Sequence, residues 1–166
     1  MKAALTIITL LFTISLTAQI GKGASTEQKD KNKGKVIIGQ AITLGNVMAE
    51  LNRVNSLRDD EGRTFHVLLY RNSEYRYLTD FKALNFYASS DDIDYLFNEL
   101  ALALKNQEER SITLGDDKLT YQPFMKKNIA FWALNAGGIH YLSPEHLHNL
   151  FGKKFDKKAW KAFLKS

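Results

Sequence analysis

Apolar positions change their spacing several times along the chain, and each change predicts an element. Val36, Ile37 and Ile38, followed by Ala41, Ile42 and Leu44, read as a strand with an irregularity at Gly39. From Asn46 to Leu57 the apolar residues Val47, Leu51 and Val54 fall on one helical face with Arg58, and Met48 lies beside them. That spacing predicts a helix, and Asp59-Asp60-Glu61-Gly62 predicts the turn after it. Thr64 to Tyr70 is rich in β-formers, Asn72-Ser73 suits a tight turn, and Glu74 to Thr79 is expected to pair back. Leu84 to Ala88 continues the meander. A helix then starts at Ser89 or Ser90, with Ile93, Leu96, Phe97, Leu100 and Leu104 as its apolar stripe. Ser89 with Asp92 outlines a capping box, Asp in place of the usual Glu. Asp91, Asp92 and Asp94 at the start and Lys105 near the end suit the helix dipole.

Beyond it, Ser111 to Leu114 and Lys118 to Gln122 read as a hairpin around Gly115-Asp116-Asp117. Asn128 to Leu134 is apolar on both faces, as in a strand covered on both sides. Asn135-Ala136-Gly137-Gly138 turns it and Ile139 to Leu142 returns. Ser143 caps a helix with Pro144 in its first position and Gly152 at its end. Asp156 caps a last helix carrying Ala159, Trp160, Phe163 and Leu164. The expected class is α+β: a largely antiparallel sheet of roughly five to seven strands, one long central helix and a C-terminal helix pair, packed mainly on one side. The tetrapeptide Ile-Thr-Leu-Gly occurs at Ile42 to Gly45 and again at Ile112 to Gly115, with flanks that do not match, so coincidence is the simpler explanation.

Two stretches lie outside this pattern. Residues 1–18 combine Lys2, an apolar run dominated by Leu and Ile, and small residues up to Ala18. They resemble bacterial export signals, those of Gram-negative cells in particular, and predict a cleaved secretory leader and a periplasmic or secreted protein. The run is shorter and more polar than the roughly 20 apolar residues of a membrane span. Residues 19–35 are rich in Lys and Gly and predict a flexible spacer; residues 36–166 form the expected single domain. Cleavage after Ala18 leaves 148 residues, enough for a real core. The chain has no cysteine, which excludes disulfides, a cysteine-linked lipid anchor and thiol catalysis.

The net charge of +5 is carried by the ends. Gly21 to Lys35 holds five Lys against two acids and Gly152 to Ser166 six Lys against Asp156, whereas Val36 to Phe151 sets eleven basic residues against fifteen acidic ones. No basic stripe on the body suggests nucleic acid as a partner.

Candidate chemistry is sparse. His140, Glu145 and His148 are a conceivable three-ligand metal set, although HExxH is absent. His146 and His148 stand about 200° apart around a helix and cannot share an ion. Core or surface packing is the simpler role for these histidines, and for His66 within its strand. No GxSxG elbow surrounds any serine, and the carboxylate clusters lack the register of a calcium loop. Tyr75 and Tyr77, with Arg76 on the opposite face, head an aromatic cluster able to stack on a sugar or peptide; filling the core is the plain alternative. In the last helix Lys157, Lys158 and Lys161 surround Trp160. Such a basic amphipathic helix suits an acidic partner or a peripheral anionic membrane surface, unless Trp160 docks on the domain.

The leading expectation is an exported non-catalytic binding module, acting as a monomer on a protein, peptide or glycan, with no cofactor. An interaction protein working at the envelope surface through its C-terminal helix is the second reading. A small hydrolase, with the His140, Glu145 and His148 set as its conceivable metal ligands, is the third.

Overall fold

The computed structural model describes residues 19–20, 34–74, 79–125 and 127–166. In chain order these form β1 (Gln19–Ile20), β2 (Lys35–Thr43), β3 (Asn46–Arg58), β4 (Thr64–Arg71), β5 (Phe81–Ala88) and α1 (Ser90–Asn106). Then follow β6 (Arg110–Leu114), β7 (Asp117–Phe124), β8 (Asn128–Ala133), β9 (Gly137–Leu142), α2 (Pro144–Leu150) and α3 (Lys157–Phe163). The class is α+β, but the expected single sheet is two. One is the antiparallel meander β2-β3-β4-β5, the other the antiparallel meander β6-β7-β8-β9, with β1 added parallel to β6.

Each meander runs into a capped helix, and the helices are exchanged. α1 follows the first meander and packs chiefly on β6, β7 and β8 of the second; α2 follows the second and packs chiefly on β2 of the first. The two copies of Ile-Thr-Leu-Gly sit at corresponding places, where the first strand of each meander enters its first hairpin, one residue out of phase. The sheets share one core. It joins Leu51, Leu68, Tyr70, Leu84 and Phe86 of the first to Leu114, Leu119, Tyr121, Ile129 and Phe131 of the second, with Leu96 and Leu100 of α1 and Leu147 and Leu150 of α2.

The predicted helix at Asn46 to Leu57 is strand β3. It pairs with β2 on one side and β4 on the other over most of its length. Its side chains are buried on both faces, Ala49 and Leu51 on one, Asn52 and Val54 on the other. Two ladders of backbone hydrogen bonds and two covered faces outweigh the helix preference of Met48, Ala49, Glu50 and Leu51.

The irregularity expected at Gly39 is a bulge, and it has a packing reason. A Cβ there would meet the carbonyl oxygens of Asn149 and Leu150 at 2.0 and 2.6 Å. A Cβ on Gly152, at φ +64°, would meet the Ile38 carbonyl oxygen at 2.7 Å, so the end of α2 lies backbone to backbone on β2. The capping box of α1 is complete: Ser89 Oγ accepts from Asp92 N, and Asp92 accepts from the backbone of Ser89. Ser143 and Asp156 cap α2 and α3 as expected.

A polar seam joins the meanders where β4 ends beside β9. Tyr70 donates to Gly137 O at 2.6 Å, and Asn72 Oδ1 accepts from Ile139 N at 3.1 Å. Ser73 N donates to Ile139 O at 2.6 Å, and His140 Nδ1 lies 2.8 Å from Arg71 O. Nδ1 therefore carries the proton, and Nε2 is buried without a partner. Burial at this site pushes His140 down to about 4, so the ring is neutral in the folded protein.

Candidate functional site

The grooves that matter lie on either side of α3. Asp156 accepts from the backbone N–H groups of Lys158 (2.7 Å) and Ala159 (3.0 Å), and these bonds hold its carboxyl below the usual range. The capped helix then places Trp160 and Phe163 three residues apart on one face, their ring centres 5.2 Å from each other. Trp160 is 9% exposed and is the one buried residue of α3. Lys157, Lys158 and Lys161 all face water. The helix thus docks through its tryptophan and leaves its lysines outside.

Beneath it, His148 of α2 is held within an aromatic set. Its ring meets Phe97 (5.0 Å), Phe155 (5.1 Å) and Trp160 (5.3 Å), each edge to face, and its Nδ1 lies 2.7 Å from Pro144 O. Lys153 stands 4.9 Å above the Phe97 ring and pairs with Asp94 at 2.6 Å; Lys105 stands 5.0 Å above Phe163.

Packing around Trp160 is incomplete. On one side lies a cavity of about 500 Å³ lined by Phe97, Ala101, Leu102, His148 and Phe163, with Lys154 among its polar groups. On the other is a second of about 560 Å³ lined by Leu104, Pro144, Phe155 and Leu164, with Lys127, Lys157, Lys161 and Glu145 at its polar positions. Trp160 borders both. Mostly apolar walls, a few polar groups and this size are the attributes of a ligand site. Among the described residues none of Lys127, Lys154, Lys157 and Lys161 is ion-paired.

The other candidate residues fare differently. Tyr75, Arg76 and Tyr77 lie outside the described residues. His140, Glu145 and His148 do not converge. His140 sits in the seam against Tyr70 and Phe131, His148 sits under α3, and Glu145 borders the second cavity. Among the described residues no group of three His, Asp or Glu side chains is placed to hold a metal ion.

Sequence reasoning found Trp160 and its lysines but not their floor. Phe97 packs against the core as a member of the α1 stripe and, half-buried, also faces His148 and the first cavity. Its signal was its place on the edge of the stripe, one residue past the fully buried Leu96. Among the described residues no helix is long and apolar enough to cross a membrane. Compared with models of protein families, with curated proteins and with solved structures, the chain matches none.

Proposed function

We propose that the chain is an exported, non-catalytic binding module that takes an acidic peptide segment bearing a large apolar side chain along α3. The observation that carries this reading is the pair of cavities sharing Trp160, apolar within and bordered by lysines that have no ion-pair partner among the described residues. An apolar side chain entering either cavity leaves water for aromatic walls, worth roughly 1.5–3 kcal/mol when fully buried. Acidic neighbours then meet Lys154, Lys157 or Lys161, which set orientation and on-rate more than affinity. The layout of residues 1–18 supports export. A membrane-surface role draws less support, because α3 turns Trp160, its largest apolar side chain, inward against the domain.

The test is fluorescence anisotropy with a labelled peptide of alternating Glu and Phe, against a control with Lys for Glu. Wild-type protein is expected to bind the acidic peptide, weakening as salt rises, and the Lys157→Glu/Lys161→Glu double variant to lose at least about tenfold in affinity. Equal binding of the two peptides, or of neither, would falsify the reading. N-terminal sequencing of the mature protein tests export independently, the expected first residue being Gln19.

A further inference from the structure

A further cavity lies at the N-terminal end of α1, where Ser90, Ile93 and Asp94 meet β3 and β4. The register of the first meander sets Arg53 on β3 opposite His66 on β4, and His66 opposite Phe86 on β5. His66 is 3% exposed and stacks on Phe86 with ring centres 5.7 Å apart and planes within 15°. Its Nδ1 lies 2.8 Å from Thr64 O, so Nδ1 carries the proton of the neutral ring and Nε2 is left to accept. Beside it the Arg53 Nε is buried and makes no hydrogen bond. Arg53 has no ion-pair partner among the described residues.

These groups line a polar cavity of about 200 Å³, together with Ile38, Thr64, Ala88, Ser90, Ile93 and Asp94. The neighbouring acids are already engaged. Asp94 pairs with Lys153 at 2.6 Å, and Asp92 is held by the Ser89 cap. A guanidinium with a buried, unpaired Nε next to a buried imidazole is costly unless an anion completes it.

We infer that this cavity is a binding site for a small tetrahedral oxyanion of the phosphate class, held by Arg53 with His66 and the hydroxyl side chains of Thr64 and Ser90. Arg53 supplies the fixed charge and a planar donor set matched to phosphate oxygens. His66 changes role on binding. Burial, with a contribution from the Arg53 charge, holds the free imidazole below its usual value, while the hydrogen bond to the Thr64 carbonyl and the Asp92 charge act the other way. An anion beside it favours the protonated ring, which turns Nε2 from acceptor into donor. This site is independent of the α3 reading.

The experiment is an NMR titration of the His66 ring with inorganic phosphate at constant ionic strength, chloride serving as control. The expected result is a saturable shift with phosphate, a rise in the His66 pKa when phosphate is bound, and no equivalent effect of chloride. Arg53→Met is expected to weaken phosphate binding at least about tenfold, as loss of a charge-assisted pair should. Should that variant fail to fold, Thr64→Val provides a milder test, with a smaller loss. A parallel titration with glycerol 2-phosphate separates the sources: phosphate alone identifies the free ion, and both together a phosphomonoester head, each upholding the site. No saturable His66 response to either, or a response that Arg53→Met leaves intact, overturns it.

Discussion

In the first half of the molecule four strands run into α1, a helix of 17 residues that buries six of its side chains. In the second half four strands run into α2, which has 7 residues and buries two, and α3 adds another 7 and buries one. At 1.5 Å per residue the difference between α1 and α2 is about 15 Å of helix. Gly152 stops α2, and α3 closes over the exposed aromatics beside it without filling the space. The long helix is a core element; the short pair leaves room around Trp160. A binding surface at the less densely packed end of a fold is what local stability differences favour.

The comparison breaks first at α1. Leu96→Ala removes a fully buried side chain from the shared core and is expected to cost about 3–4 kcal/mol in urea unfolding. Next comes the seam between the halves. His140 titrates at about 4 when folded, and is neutral well above that, whereas it titrates near 6.5 when unfolded. The unfolded chain binds the extra proton between those values, so stability is full above pH 6.5 and falls as pH drops to about 4, by roughly 3 kcal/mol in all. His140→Gln is expected to flatten that window in unfolding curves taken across it; an unchanged slope would place the acid sensitivity elsewhere. The caps sharpen the contrast further. Ser89→Ala should cost about 1 kcal/mol of global stability, since α1 melts only with the core. Asp156→Ala should leave global stability nearly unchanged by the same measure. Its effect should appear instead as faster amide exchange confined to α3, and exchange that slows or stays level there would show α3 to be as firmly held as α1.

Most of the element plan was legible because its signals are local. The capping box at Ser89, Ser143-Pro144 ahead of α2, the Asp156 cap and the bulge at Gly39 each follow from a few neighbouring residues. β3 was not legible, since Val47, Leu51 and Val54 satisfy a helical spacing and the strand is buried on both faces. That misreading had a cost for function. On a helix Arg53 is one more exposed cation; only as a strand residue does it stand opposite His66. Pairing of the sheets, and the exchange of helices between them, depends on contacts far apart in the chain and left no trace except the repeated Ile-Thr-Leu-Gly. For the α3 site, Trp160 and the lysines were readable as an amphipathic pattern, but Phe97 reaches it from 63 residues upstream.

The exchange of helices has its own corollary. Divide the polypeptide in the short link after Asn106, and each piece keeps a meander but parts from the helix that covers it. Neither piece should hold a stable structure alone, whereas the two mixed in solution should reassemble, as complementary fragments do when each carries the other's missing lid.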